Sequence, residues 1–351
     1  KTIRELQRVA VEETRLGIPI LFARDIIHGF KTIFPIPLGQ AATWNPDIVE
    51  KGARIAAIEA SSVGIRWTFS PMVDVSRDPR WGRIAESFGE DTYLNATLGK
   101  AMVRGYQTDN LSNPTAIAAC VKHFCGYGAS ETGRDYNTTW IPEVQLRDVY
   151  LPPFKACADE GAATFMCSFN DINGVPSTGN KHLNVDILRK EWGYKGVLVT
   201  DWASIQQMIT HGFAEDMKHA ANLAADASVD MDMMSYAYIS ELKKLIDEDK
   251  VKLSQIDNAV RNVLKLKYDL GLFNNPYATS NDTTFYAKES LEAAKEAAAQ
   301  STIMLKNKST LPIDKTAKIA VVGPLSDSGI DQVGTWSFDG EASQCVKRDA
   351  R

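Results

Sequence analysis

The most constraining feature of the sequence is the stretch 196–202, which reads Gly-Val-Leu-Val-Thr-Asp-Trp. Residues 197–200 are apolar or β-branched, which predicts a strand buried on both faces, as in a parallel sheet. A carboxylate at the end of such a strand needs water, a ligand or a partner charge. Parallel barrels place their chemistry at this end of the strands. Asp201 is therefore the first candidate for a reacting group, with a cap on a helix starting near residue 203 as the alternative.

Segments with two different periodicities alternate along the chain. Short apolar stretches that predict strands occur at residues 18–24, 67–74, 117–121, 163–168, 197–200 and 229–233. Helical patterns separate or follow them, at residues 46–63, 91–109, 143–160, 214–226, 238–248 and 254–270. Strands that alternate with helices at such intervals are typical of βα units around a parallel sheet.

Charged and polar side chains follow several of the predicted strands: Asp25, Asp74, Lys122, His123 and Asp201. Strand ends that converge on one pocket are how a TIM-like barrel builds a site. We therefore predict an α/β chain with such a barrel and a common pocket for these residues. A doubly wound open sheet is the alternative, disfavoured because no glycine-rich turn of the GxGxxG type follows the first strand.

The composition changes after the predicted barrel. Asn, Pro, Ser and Asp cluster within residues 273–287, which predicts a linker between a barrel domain at 1–272 and a second unit at 288–351. The second unit opens with a helical pattern at 289–299, followed by predicted strands at 302–305 and 318–324. It reads as the beginning of an α/β domain that continues beyond Arg351. Residues 1–6 read as the interior of a helix, so we also expect chain before them.

The bulk composition excludes several classes of partner. The net charge of -5 and a pI near 5.7 argue against nucleic acid or an anionic membrane surface. No apolar run is long enough to span a bilayer. The five cysteines are odd in number and lack CxxC spacing, so neither a disulfide framework nor a metal site is predicted, and no cofactor is expected.

Short motifs occur in a recognisable order along nearly the whole chain. They are residues 22–29 (Phe-Ala-Arg-Asp-Ile-Ile-His-Gly), 79–83 (Pro-Arg-Trp-Gly-Arg), 122–124 (Lys-His-Phe), 133–137 (Gly-Arg-Asp-Tyr-Asn), 166–170 (Met-Cys-Ser-Phe-Asn), 199–202 (Val-Thr-Asp-Trp) and 267–273. Together they resemble glycoside hydrolase family 3, in particular its bacterial β-glucosidase branch. The resemblance implies a (β/α)8-type barrel, a linker and an α/β sandwich domain.

The resemblance also implies an activity and roles for individual residues. It implies retaining hydrolysis of terminal β-D-glucosyl residues, with Asp201 as the nucleophile that forms a covalent glycosyl-aspartate. The residues that match sugar-contacting positions of the family are Asp25, Arg83, Lys122, His123, Arg134, Met166 and Trp202. In this branch the general acid/base is a Glu of the second domain, expected here beyond residue 351. A periplasmic or secreted location is implied as well.

The residue types suit this chemistry. Lys122, Arg83 and Arg134 would keep Asp201 ionised, because nearby positive charge favours a carboxylate. Asp25 can accept two hydrogen bonds from sugar hydroxyls, while Lys122 and His123 can donate them. The alternatives are structural. Asp25 could cap a helix or form an ion pair with Arg24, and Arg83 could form an ion pair with Glu86. His123 and Trp202 could pack in the core.

Phe169 departs from the family, which often has Tyr at this position, so the tyrosine hydroxyl that helps to orient the nucleophile in the family is absent here.

Within the family, an N-acetylglucosaminidase is disfavoured because the loop at 125–128 reads Cys-Gly-Tyr-Gly, without the histidine of that branch. A β-xylosidase remains an alternative. Outside the family, the alternatives are a Schiff-base aldolase built on Lys122 and a sugar-binding fragment with little hydrolytic activity. The expected partner is a small-molecule or oligosaccharide substrate; the oligomeric state is not predicted.

Overall fold

The computed structural model describes residues 2–278 and 284–337 and shows an α/β chain. The strands are β1 Ala23–Arg24, β2 Trp67–Thr68, β3 Cys120–Phe124, β4 Thr164–Cys167, β5 Asp171–Ile172, β6 Val175–Pro176 and β7 Val197–Val199. The α-helices are α1 Thr2–Arg8, α2 Pro37–Ala41, α3 Pro46–Ser62, α4 Thr92–Gln107, α5 Glu143–Gln145, α6 Leu151–Asp159, α7 Ser204–Thr210, α8 Met217–Asp226, α9 Ala237–Asp247, α10 Leu253–Asp269, α11 Lys288–Gln300 and α12 Gly329–Gln332. Segments of π-helix occupy Val9–Glu13, Leu146–Tyr150 and His182–Glu191.

The strands form a parallel array. β1 pairs with β2, β3 pairs with β4, and β4 pairs with β7, each in parallel. Isolated parallel bridges join Trp67 to Ala118 and Val199 to Met231, so the array runs from β1 through β2, β3, β4 and β7 to Met231. All these segments therefore end at the same edge, as predicted. β5 and β6 form a separate antiparallel pair.

The array does not close into a complete barrel within the described residues, so the eight-unit barrel stays a prediction. Several predicted strands are also shorter than the apolar stretches that predicted them. Pro19 and Pro71 interrupt the first two stretches, because proline lacks the N–H that a ladder requires. The predicted strand at 229–233 is reduced to the single bridge at Met231.

The predicted helices are largely confirmed. α3 begins at Asn45, whose side chain accepts a hydrogen bond from the backbone N–H of Asp47, with proline at the first helical position. α4 begins in the same way after Asp91. The helix predicted at 143–160 is divided into α5, a π-helical segment and α6, and α6 starts at the prolines 152–153.

The core has two parts. Between the helices and the strands, small residues such as Ala53 and Ala57 of α3 pack with Leu98 of α4. Inside the array, Met166 and Val199 pack with side chains from the end of α10, including Leu266 and Leu270. Lys267 of α10 donates a hydrogen bond to the carbonyl of Pro19, just before β1, so α10 lies across the amino-terminal ends of the strands. The carboxyl-terminal ends are left for a site.

The predicted strands at 302–305 and 318–324 are not formed. Their apolar side chains face solvent; Leu305 is 92% exposed and Val322 is 85% exposed. A strand needs a neighbour for its backbone and a second layer for its apolar face, and the described part of the chain supplies neither here. The sandwich domain thus stays a prediction. Cys345 and part of the predicted linker lie outside the described residues.

No described helix is both long enough and apolar enough to cross a bilayer. The cysteines at 120, 125, 157 and 167 are buried and free.

Candidate active site

The site begins at the carboxyl-terminal end of β3, where Lys122 and His123 are both buried. The Nζ atom of Lys122 donates a hydrogen bond to Asp25 Oδ1 at 3.0 Å, and Asp25 directly follows β1. This ion pair compensates the buried ammonium, which would otherwise be unfavourable. The sequence-based alternatives for Asp25, a helix cap or a pair with Arg24, did not include this contact.

Asp201 stands two residues beyond the end of β7, and only 12% of its side chain is exposed. Its Oδ1 atom accepts a hydrogen bond from the backbone N–H of Trp202 at 2.7 Å. Its Oδ2 atom lies 3.4 Å from His123 Nε2. The structure therefore brings Asp25, Lys122, His123 and Asp201 together at one edge of the array, as the strand-end pattern predicted.

The electrostatic environment of Asp201 combines opposing effects. Burial raises its pKa to about 6, and the negative charge of Asp25 acts in the same direction. Lys122, the Trp202 N–H and Arg83 lower the pKa, without cancelling the effect of burial. The carboxyl group is therefore largely ionised at neutral pH and becomes protonated in mild acid.

Arg83 forms a two-pronged ion pair with Glu86. Its Nε atom donates to Glu86 Oε1 at 2.8 Å, and its Nη2 atom donates to Oε2 at 3.0 Å. Both side chains are mostly buried. Burial opposes the charge on Arg83, but Glu86 and Asp201 outweigh it and raise the pKa of the guanidinium. Arg83 is thus a fixed positive charge near Asp201, and Glu86 is its partner, as the structural alternative suggested.

His123 contacts a second buried carboxylate, Asp74. His123 Nδ1 lies 2.8 Å from Asp74 Oδ2, and the backbone N–H of His123 donates to the same oxygen at 3.0 Å. Burial is the main cause that lowers the pKa of His123, and Arg83 and Lys122 add to it, so the ring is neutral at neutral pH. Asp74 was predicted only as a strand-end residue; its contact with His123 was not foreseen.

The remaining predicted residues occupy different environments. Met166 of β4 is buried inside the array, beside Val199. Trp202 is 59% exposed, which excludes core packing as its role. Arg134 is exposed, and in the described residues no hydrogen bond or ion pair of its side chain links it to Asp201 or Lys122.

Phe169 is buried against aromatic rings rather than against a polar group. The centroid of its ring lies 4.6 Å from that of Tyr136 and 6.4 Å from that of His123. Whether a hydroxyl at this position would reach Asp201 remains a prediction.

A distant segment reaches the same region. The ring of Trp336 lies over Lys122 Nζ, 5.1 Å from the ring centroid, and the carbonyl of Thr335 lies 2.5 Å from His28 Nε2. Local sequence pattern carries no signal for these contacts, because they join residues more than 200 positions apart.

Two of the carboxyl groups in this cluster are paired with cations, and the neutral ring of His123 lies between Asp74 and Asp201. Asp25 pairs with Lys122, Asp74 with His123, and Glu86 with Arg83. Among residues 2–278 and 284–337, no group of acidic, histidine and cysteine side chains is arranged to hold a metal ion.

A parallel strand array with acidic and basic side chains at its carboxyl-terminal ends is the architecture of barrel enzymes. Residues 1–266 match the Glycosyl hydrolase family 3 N terminal domain, and the chain belongs to this family. The resemblance inferred from the motifs is thereby confirmed.

The similar proteins include enzymes with two different sugar specificities. The chain is 44% identical over 98% of its length to a periplasmic beta-glucosidase of Salmonella typhimurium, covering 46% of that protein. It is 39% identical over 92% of its length to a putative beta-xylosidase of Formosa agariphila, covering 44% of it. The beta-glucosidase of Listeria innocua has a similar structure, with a TM-score of 0.94 and 45% identity over 96% of this chain and 48% of that one. The chain thus spans about half the length of these relatives.

Proposed function

We propose that the complete protein is a retaining β-glucosidase that removes terminal glucosyl residues through a covalent bond to Asp201. The observation that carries the proposal is the state of Asp201: a carboxylate at a strand end, nearly buried, with one oxygen held by the Trp202 N–H. The other oxygen faces His123 and is near the charges of Lys122 and Arg83. Further support comes from Listeria innocua beta-glucosidase structures in complex with glucose and with laminaribiose.

In the proposed first step, Asp201 Oδ2 forms a bond to the anomeric carbon while the bond from that carbon to the leaving oxygen breaks. A second carboxyl group protonates the leaving oxygen. Water then attacks the anomeric carbon while the second carboxylate takes a proton from the water; the bond from the anomeric carbon to Asp201 breaks, which releases the sugar and restores the carboxylate of Asp201. We expect Asp25, Lys122, Arg83 and His123 to hold hydroxyl groups of the sugar, since their donors and acceptors surround Asp201.

The second carboxyl group is expected in the part of the protein beyond residue 351. Retaining enzymes need two carboxyl groups about 5–5.5 Å apart. Asp25 and Glu86 are each paired with a cation, which makes them poor candidates for an acid that must be protonated before it can act. Burial raises the pKa of Asp74 to about 7, but its side chain is completely buried and cannot reach a leaving group. We assign the role to a Glu of the second domain.

A β-xylosidase is the second candidate, favoured by the 39% identity to the Formosa agariphila relative. Xylose differs from glucose in lacking the hydroxymethyl group, so the ratio of kcat/KM for nitrophenyl glucoside and xyloside distinguishes the two. The Schiff-base aldolase is disfavoured, because Lys122 is engaged with Asp25. A periplasmic location is proposed from the description of the Salmonella typhimurium relative alone.

The proposal is tested by trapping the intermediate in the complete protein. A 2-deoxy-2-fluoroglucoside with a good leaving group slows the second step and leaves the sugar attached to the nucleophile. We expect peptide mass mapping to place the label on Asp201. A label on Asp25, Asp74 or Glu86 would overturn the assignment, and so would rapid turnover without any label.

A further inference from the structure

The two ring nitrogens of His123 have unequal environments. Nδ1 lies 2.8 Å from Asp74 Oδ2. Nε2 is buried and has no hydrogen-bond partner among the described residues, although Asp201 Oδ2 lies 3.4 Å away. A buried polar atom without a partner is unfavourable, so this nitrogen needs a group that the described residues do not provide.

The position of the ring hydrogen follows from Asp74. Its Oδ2 atom already accepts the backbone N–H of His123, whose hydrogen cannot move. Because Asp74 Oδ2 acts as an acceptor towards the backbone N–H, it also acts as an acceptor towards the ring nitrogen Nδ1. The contact between the two is therefore a hydrogen bond in which Nδ1 carries the hydrogen. In a neutral imidazole the other nitrogen is then an acceptor. Nε2 and Asp201 Oδ2 are therefore two acceptors that face each other.

The backbone holds Asp74 in this place. Its segment runs parallel to β3, with a bridge between Met72 and Lys122. The N–H of Val73 donates to the carbonyl of Lys122 at 2.9 Å, which places Asp74 beside His123. Neither side chain is accessible to solvent. The contact is thus part of the strand register and does not depend on a mobile surface group.

The other groups around His123 do not compete for Nδ1. The rings of Tyr127 and Phe169 pack against the imidazole, with centroids 5.3 Å and 6.4 Å away. The charged groups that act on the Asp74–His123 pair are Arg83, Glu86 and Lys122, with Asp201 on the opposite side. Arg83 and Lys122 carry no acceptor, and Glu86 is engaged with Arg83.

We propose that Asp74 is a positioning residue that keeps the hydrogen of His123 on Nδ1, so that Nε2 accepts the hydrogen of one sugar hydroxyl directly beside Asp201. This inference rests on the proposed function, because it takes a sugar as the occupant of the pocket. A sugar hydroxyl supplies the hydrogen that Nε2 lacks.

The first test measures the tautomer in the complete protein with ¹⁵N-labelled histidine, where His123→Asn identifies the signals. We expect hydrogen on Nδ1 in the wild type. In Asp74→Ala we expect hydrogen on Nε2, because that nitrogen can then donate to Asp201 Oδ2. The new hydrogen bond stabilises the ionised form of Asp201, so the acid limb of the kcat/KM profile should move to lower pH. Hydrogen on Nε2 in the wild type would overturn the proposal.

The second test measures the loss of activity and its dependence on the substrate. We expect Asp74→Ala to lower kcat/KM by about 10-fold to 100-fold, the range typical of carboxylates that orient a functional histidine. With a series of deoxyglucosides, this loss should nearly vanish for the one that lacks the hydroxyl bound by His123. An equal loss on every deoxyglucoside would contradict the proposal.

Two further variants separate positioning from folding. Asp74→Asn keeps an amide oxygen as acceptor and should restore the Nδ1 tautomer and most of the activity; a folded Asp74→Asn as impaired as Asp74→Ala would contradict the proposal. The matched control is Asp230→Asn, a buried carboxylate that accepts hydrogen bonds from the Leu198 N–H and Arg189 near the other end of β7. It should alter stability but neither the tautomer nor the pH profile. The NMR measurement of the tautomer does not depend on turnover. A fluoroglycoside label on another carboxylate would therefore reject the proposed function without deciding the tautomer of His123.

Discussion

Asp201 must satisfy two opposing requirements if it is a nucleophile. Its carboxylate must be shielded from water so that it can react with a sugar, and it must still be ionised at the working pH. Burial raises its pKa to about 6, and the positive charges of Lys122 and Arg83 limit the rise. Because each cation is already shared with another carboxylate, the attraction to Asp201 is moderate. Stronger attraction would lower its nucleophilicity.

The first prediction concerns the charge of this carboxylate. Asp201→Asn retains the shape of the side chain but removes its charge, so hydrolysis by the complete protein should fall by at least about a thousandfold while binding of glucose persists. Asp201→Gly should regain part of its activity with azide, which can enter the vacated space and attack the anomeric carbon. NMR of the product should then show the inverted glycosyl azide. Undiminished activity of Asp201→Asn would reject the assignment.

The second prediction is that this residue lowers the stability of the fold at neutral pH. Its pKa rises from the usual value near 4 to about 6 on folding, so the folded state binds more protons between these values. The free energy of unfolding therefore decreases as pH rises through this window. The loss caused by ionising Asp201 is complete above about pH 6.

Asp201→Asn should accordingly be more stable than the wild type at pH 7, by on the order of 1–3 kcal/mol, and the difference should vanish below about pH 4. Denaturant midpoints at several pH values measure this difference. If the variant is less stable than the wild type at pH 7, the attraction between Asp201 and the nearby cations outweighs the cost of burying its charge.

At the scale of elements, the loop after β3 is held by close contact with the segment after β2. Arg77 donates its backbone N–H to the carbonyl of Gly128, and Gly128 itself lies against the backbone of that segment. A Cβ atom at Gly128 would meet the carbonyl oxygen of Val75 at 2.3 Å and its carbonyl carbon at 2.8 Å. These are backbone atoms of the segment that carries Asp74, so they cannot move without disturbing the site.

The third prediction follows from this contact. Gly128→Ala should destabilise the protein by about 1–3 kcal/mol and lower kcat/KM, because the loop and the Asp74 segment must separate. Gly82→Ala is the matched control for stability, since no heavy atom lies within 4 Å of a Cβ built there. Thermal unfolding of both variants tests the idea. Equal midpoints would show that the loop adapts without strain.

On the scale of the whole molecule, the described residues bring distant parts of the chain to one region. The nucleophile and its surrounding charges lie at the strand ends, while Trp336 comes from the far end of the chain and covers Lys122. The apolar side chains at 303–325 are largely exposed.

The fourth prediction compares this 351-residue chain with the complete protein. The chain should bind gluconolactone, a ligand in a Listeria innocua beta-glucosidase structure, yet hydrolyse nitrophenyl glucoside about 10²- to 10⁴-fold more slowly. The reason is that the paired carboxylates of the cluster cannot replace a general acid. Calorimetry measures the binding of gluconolactone, and steady-state kinetics measures the rate of hydrolysis. Equal rates would place the acid within residues 1–351.

The sequence by itself determined the features that depend on neighbouring residues. Helices α3, α4 and α10 followed from helical periodicity, and the placement of Asp201 followed from the apolar run before it. These signals are local, because hydrogen bonds within a helix and the alternation of a strand involve residues a few positions apart. The motif order sufficed to predict the family.

Only the tertiary structure decided which charges meet. That Lys122 pairs with Asp25 and His123 with Asp74 depends on strand register, because these contacts join residues 97 and 49 positions apart. The unformed strands at 302–305 and 318–324 have the same physical cause. Their pattern is apolar enough for a sheet, but a strand exists only where another chain segment accepts its backbone hydrogen bonds and covers its face.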